Sequence, residues 1–231
     1  MLKGHYWVGS FCNFSTSNNL LKEPVIAISD TITLVHDFGN RIPNKSWFLY
    51  LLELFNKDGI PSELNLICQF DDQNYFEAIF NGINQYRFKK ILPNISNSYR
   101  RFIIFNKREK KIGFHLLDLT NKKKEQYELD LDKYDFSYFG YRAFTGIEWW
   151  NIGSINPYEI RFKTKISDLL YGIPDNLKYP DSIIFKPFSY LSQNNDGLCN
   201  VYPVSFTNVC IVDGCLSYCT DRGICDSGLT Y

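Results

Sequence analysis

The stretch GIEWWN, residues 146–151, sets a carboxylate, Glu148, beside two indoles, Trp149 and Trp150. Trp rings have flat apolar faces that stack on sugar rings, with one N–H left over for a hydrogen bond. Successive strand residues point to opposite faces, so in a regular strand only one of the two tryptophans can face a core. With Tyr141 and Arg142 just upstream, these residues make the candidate ligand site, of a lectin-like kind. The plainer alternative puts Trp150 and Tyr141 in the core and Trp149 under a later Pro-rich segment.

A second set of acids lies in ELDLD, where a period of two puts Glu128, Asp130 and Asp132 on one face. Sugar-cleaving enzymes need two carboxyls flanking the scissile bond. Here the opposite face carries Tyr127, Leu129 and Leu131, so the acids are expected to face solvent. There is no Gly-rich phosphate loop, no G-x-S-x-G and no H-E-x-x-H. The three histidines, His5, His36 and His115, are scattered, and His115 reads as a hydrogen-bonded strand residue. DDQN (71–74) and NNDG (194–197) are turn chemistry before they are calcium loops. No catalytic residue, metal or cofactor is assigned, and the chain reads as a binding domain more than as an enzyme.

The elements that must hold these residues are strands. Aromatic content is 17%, with 19 Phe and 16 Tyr, types that fit a pleated, half-buried surface. Strand-like runs cover 6–11, 24–29, 31–38, 47–55, 63–70, 75–80, 86–92, 99–105, 112–119 and 126–132, with turn residues between. An Asp-Gly turn in NKDG (56–59) separates two of them, a strong hairpin signal. Residues 138–166 read as two strands around a loop, and the apolar spacing of ISDLLYGI (166–173) allows one short helix. Regular strand spacing predicts a mostly β chain, an antiparallel β-sandwich of jelly-roll or supersandwich-like form. It spans 1–170. Prolines 174, 180, 187 and 203 mark 171–209 as an irregular Pro-rich extension packed on the sandwich. Residues 210–231 form a truncated Cys-rich tail.

Lys+Arg and Asp+Glu both count 25, so formal net charge is zero, which argues against a nucleic-acid partner held by bulk electrostatics. The basic runs NKREKK (106–111) and NKKKE (121–125) read as solvated turns. The longest apolar run, WFLYLL, is far short of the ~18 residues a membrane helix needs, so no membrane insertion is expected within the segment.

Seven cysteines are present, at 12, 68, 199, 210, 215, 219 and 225. Such clustering near one end is unusual where thiols stay reduced. Only Cys215 and Cys219 are close enough to form the kind of ligand pair zinc prefers, and no His lies near. Cys215, Cys219, Gly223 and Cys225 resemble the opening of an EGF-like module, with its short first gap followed by C-x3-G-x-C. That resemblance implies a Cys215–Cys225 disulfide, a partner for Cys219 beyond Tyr231, and an ectodomain fragment of an EGF-repeat-containing cell-surface protein. Of the three pairings open to the other four cysteines, Cys199 with Cys210 and Cys12 with Cys68 is the one expected, unless Cys68 is simply a small buried hydrophobe. Sequons at Asn13, Asn44 and Asn94 are compatible with a glycoprotein. The expectation is therefore extracellular recognition or cell adhesion at a cell surface, with another cell-surface protein or a glycan as partner. The alternatives are a carbohydrate-binding sandwich, a glycan-cleaving enzyme, or a cytoplasmic setting if the thiols are reduced.

Overall fold

The computed structural model describes residues 4–14, 24–34, 46–69, 74–151, 163–175, 182–187, 199–202, 208–212 and 215–219. Among them the chain forms only strands: β1 (Gly4–Asn13), β2 (Ala27–Leu34), β3 (Ser46–Asn56), β4 (Pro61–Gln69), β5 (Tyr75–Phe80), β6 (Asn84–Arg87), β7 (Ser98–Asn106), β8 (Lys111–Asp118), β9 (Lys123–Asp130), β10 (Gly140–Asn151), β11 (Lys163–Pro174), β12 (Ile183–Pro187), β13 (Cys199–Tyr202), β14 (Asn208–Val212) and β15 (Cys215–Cys219). They pair antiparallel into two sheets. The seven-stranded sheet runs β13-β1-β10-β3-β4-β5-β6, and the eight-stranded sheet runs β14-β15-β11-β2-β7-β8-β9, with β12 added on β11.

Alternation builds the core between the sheets. On β3, β4 and β5 the even-numbered Tyr50, Leu52, Leu54, Leu64, Leu66, Phe76, Ala78 and Phe80 are buried and meet Ile28, Ile32, Tyr99, Ile103 and Phe105 from the other sheet. The 56–59 turn closes the β3–β4 hairpin as expected. Gly59 sits at φ 77°, and Asn56 Oδ1 accepts the N–H groups of Asp58 and Ile60.

One charged pair lies inside this core. Arg101 and Asp30 are both fully buried, and the guanidinium forks the carboxylate at 2.8 and 2.6 Å. Arg101 also donates to the carbonyls of Tyr50, Leu51 and Leu64 on the facing sheet. Those carbonyls belong to a stretch where β3 and β4 do not pair: the register runs to Tyr50↔Leu66 and resumes at Glu53↔Glu63. A side chain from one sheet thus takes the place of a strand partner in the other. Thr145 Oγ1 completes the cluster against Asp30 Oδ2 at 3.0 Å.

Several expectations need correction. Residues 166–173 are not a helix but part of β11, which carries a bulge between Ser167 and Leu170. The extra residue flips the alternation, so Ile166, Leu169, Tyr171 and Ile173 all reach the core, and the sequence imitates a helical spacing. The proposed extension contributes strands to both sheets. Pro174 and Pro187 are the last residues of β11 and β12, strand-end positions where a missing N–H is tolerated.

The EGF-like reading fails for the same kind of reason. Cys215–Cys219 is a strand inside the eight-stranded sheet, paired with β14 on one side and β11 on the other. Among the described residues no disulfide bond is formed. Cys68 is a buried core thiol on β4. Two strands separate β4 from β1, and the registers run from Cys12 to Ala143, Leu54 and Ser62. Cys68 is therefore both three strand spacings across, about 14 Å, and further along its strand from Cys12, well past the ~7 Å a disulfide spans. Cys12 instead sits across from Cys199, and Cys210 is on the other sheet. Cys225 lies outside the described residues, as does Asn44. No helix among the described residues is long and apolar enough to cross a membrane.

Candidate functional site

Opposite the core, the outer face of the seven-stranded sheet gathers acids from three neighbouring strands. Odd-numbered residues on β3, β4 and β5 place Glu53, Glu63, Asn65 and Glu77 there. Glu53 is directly opposite Glu63, a spacing that puts cross-strand Cβ atoms about 4.5–5.5 Å apart and makes two ionised carboxylates repel. Asn65 is directly opposite Glu77, and Glu77 is directly opposite Arg87. Asn65 Nδ2 donates to Glu63 Oε2 at 2.8 Å and so fixes that carboxyl from two residues away on its own strand. Asn65 is fully buried, and its Oδ1 has no hydrogen-bond partner among the described residues. An unmet buried acceptor of this kind costs about 1–3 kcal/mol, so it calls for a donor.

The ground beneath is apolar. Leu51, Ile67 and Phe144 are 3, 5 and 6% exposed although they face away from the inter-sheet core. A dry floor strengthens every charge interaction above it. Burial pushes the Glu77 carboxyl above its ordinary value, against the opposing pull of Arg87, which favours its protonated form. Around this floor the Arg87 guanidinium lies 3.8 Å over the Tyr75 ring, and Arg142 lies 4.2 Å over Phe55. The local backbone has a cause as well: Leu51 and Asn65 fall in the unpaired stretch of β3 and β4, whose carbonyls Arg101 holds from behind.

The residues expected from sequence all fall on β10, which lies between β1 and β3. A bulge between Gly140 and Arg142 leaves Tyr141 40% exposed, so Tyr141 is not a core residue. Arg142 is half-buried on the outer face, and Phe144 follows it there. Glu148 and Trp150 fall in the same alternation, with Glu148 in register with Leu49 and Trp7. Trp149 falls in the other, with Thr145. The side chains of Glu148, Trp149 and Trp150 lie outside the described residues. The remaining acids behave as expected: Glu128, Asp130 and Asp132 are exposed, and Lys111 and Lys110 pair with Glu128 and Asp132 at 3.3 and 2.9 Å. The ELNLI stretch missed by sequence reasoning carried one signal, a Glu and an Asn two apart on a strand otherwise built of Leu and Ile.

No family model matches the chain, and no curated protein matches it. Solved structures do. A structure of scytalido-glutamic peptidase with a transition-state analogue inhibitor superposes with a TM-score of 0.55 at 10% identity, covering 92% of this chain and 96% of that one. A second, with a peptide-based transition-state analogue, gives 0.53 at 9% identity with the same coverage. SCP-B, a member of the eqolisin family of peptidases in complex with the tripeptide Ala-Ile-His, gives 0.49 at 9% identity. At these identities the kinship is one of fold: a two-sheet antiparallel sandwich matched over nearly its whole length. The expectation that the chain is a binding domain more than an enzyme is contradicted by this match, a fold shared over nearly the whole chain with a peptidase.

Proposed function

We propose that the chain is a carboxyl-dependent hydrolase that cuts a peptide laid across β3, β4 and β5 on the outer face of the seven-stranded sheet. The observation that carries this reading is the Glu63–Asn65 pair, flanked by Glu53 and Glu77, with the buried Asn65 Oδ1 still lacking a donor. A water held by that oxygen and by Glu63 meets the need. Glu63 takes a proton from the water as the water oxygen bonds to the peptide carbonyl carbon and the C=O π pair moves onto the carbonyl oxygen, to return when the C–N bond breaks. As the C–N bond breaks, the leaving nitrogen takes a proton from Glu77, whose carboxyl burial pushes above its ordinary value against the pull of Arg87. The Asn65 amide holds Glu63 in place throughout. The fold shared with a glutamic peptidase supports the same assignment.

The test is digestion of a peptide library between pH 3 and 7, followed by mass spectrometry. Cleavage is expected at acid pH, and Glu63→Gln is expected to lower it by about 10²–10⁴-fold. Cleavage by Glu63→Gln at the wild-type rate, or no cleavage at any pH, refutes the proposal. A second reading, glycan cleavage, is supported by the direct opposition of Glu53 and Glu63, whose carboxyls can reach the roughly 5–10 Å separation that two-carboxyl glycosidases use. Release of reducing ends from polysaccharides, lost in Glu53→Gln, would favour it over peptide cleavage.

A further inference from the structure

The two basic runs of the sequence have different fates. The first is largely partnered: Lys110 pairs with Asp132, Lys111 with Glu128 and Glu109, and Lys107 lies over the Phe139 ring. The second is not. Lys122, Lys123 and Lys124, at the β8–β9 turn, are exposed and form no ion pair among the described residues. Lys89 and Lys90, after β6, are exposed in the same way.

These five lysines belong to one patch, because two buried acids tie their loops together. Glu125 accepts the backbone N–H groups of Lys89, Lys90 and Ile91 at 3.0, 2.7 and 3.1 Å. Asp118 accepts the N–H groups of Thr120 and Asn121, and Leu119 N donates to Ser98 O, which joins the turn to the start of β7. Both carboxylates also accept from side chains, Glu125 from the Tyr86 hydroxyl and Asp118 from the Asn121 amide, and they are 6 and 4% exposed. Neither forms an ion pair with a lysine among the described residues, so a chain of zero net charge presents one face of five exposed ammonium groups over two buried carboxylates.

The ground between the lysines selects the partner. Leu92, Ile95 and Leu119 are 45, 43 and 47% exposed. Each lies half down against the protein, which gives low apolar ground and not protruding tips. Asn94, Ser96 and Thr120 are exposed among them and offer hydrogen bonds to hydroxyls. The patch has no Arg for the bidentate phosphate fork and no aromatic platform for bases. We propose that the 88–97 loop and the β8–β9 turn bind a linear anionic polysaccharide, with lysines on its sulfate or carboxylate groups and the aliphatic residues under the C–H faces of its rings. The proposal is independent of the acid cluster, which lies on the outer face of β3, β4 and β5 and shares no residue with the patch.

The full chain, made in a host that attaches no N-linked glycans because Asn94 heads a sequon in the patch, is measured against immobilised heparin. Binding is expected to fall steeply with salt. The variant Lys89→Ser/Lys90→Ser/Lys124→Ser should bind at least roughly 30-fold more weakly at 0.1 M salt, with the slope of log Kd against log salt reduced by about two to three. The variant Lys107→Ser/Arg108→Ser, on the other basic turn, should stay within about twofold of wild type. Leu92→Ser/Leu119→Ser should weaken heparin binding without changing the salt slope. Equal binding by the triple-lysine variant and wild type overturns the proposal. So does tighter binding, at the same salt, to duplex DNA or to phosphatidylserine vesicles than to heparin.

Discussion

Replacing Arg101 with Met is the most severe single change the fold offers. The new side chain fills similar space, so little cavity forms, and the loss is electrostatic. Asp30, fully buried, would keep Thr145 as a donor but lose both guanidinium bonds, at 2.8 and 2.6 Å. Removing one partner of a buried ion pair costs about 3–5 kcal/mol. The carbonyls of Tyr50, Leu51 and Leu64 would lose a donor at the same time. With domains stable by about 5–15 kcal/mol, Arg101→Met should be marginal or unfolded. In urea, at a slope of roughly 2–3 kcal/mol per M, a loss of about 4 kcal/mol moves the midpoint down by about 1.5 M. Asp30→Leu/Arg101→Met removes both charges and should be more stable than Arg101→Met alone, with a coupling of at least about 2 kcal/mol between the sites. Far-UV circular dichroism against urea measures both. An Arg101→Met stability within about 1 kcal/mol of wild type, or strict additivity in the double variant, would refute the reasoning.

Gly172→Ala should destabilise by about 1–3 kcal/mol in the same assay, because its Cβ would fall 2.8 Å from the Ala27 Cβ and 2.6 Å from Ile183, and the Ala27 contact cannot swing aside. His115 gives a pH signature. Burial holds its imidazole below the ordinary 6.5, against the pull of Glu128. The unfolded chain therefore binds the proton first, and stability falls as pH drops through about 6.5 until the lower folded value is passed. Urea midpoints at pH 7.5 and 5.5 should differ less for His115→Gln than for wild type, and an equal difference would exclude this source.

Most strands were legible because alternation is visible in the sequence. β3, β4, β5, β7 and β8 match apolar runs within a residue or two, and the Asp-Gly turn sits where its chemistry puts it. The failures share a cause: they occur where tertiary contact overrides local pattern. Asp30 reads as a turn residue between two runs, yet it is the middle of β2, because Arg101 waits for it on β7. Arg101 was itself visible as a charge at a core-phase position, between Tyr99 and Ile103, but its partner was not. At 166–173 one bulged residue turned a strand into the image of a helix. The acid cluster was hidden for a different reason: Glu53, Glu63 and Glu77 lie on three strands, and only their registers bring them to one face. The cysteines misled because close spacing in a short stretch fits a strand as well as a Cys-rich module.

The place of β1 has a consequence for how the chain matures on the ribosome. Its main partner is Arg142–Asn151, more than half the sequence downstream, and its other neighbour is β13, later still. At synthesis rates of about 5–20 residues per second, the first strand emerges on the order of ten seconds before anything can pair with it. During that interval Gly4–Asn13 is an unmated strand with both hydrogen-bonding edges bare, a ready template for another chain. Yield in the cell should therefore depend on chaperone supply during translation, more than the equilibrium stability of the finished sandwich would indicate.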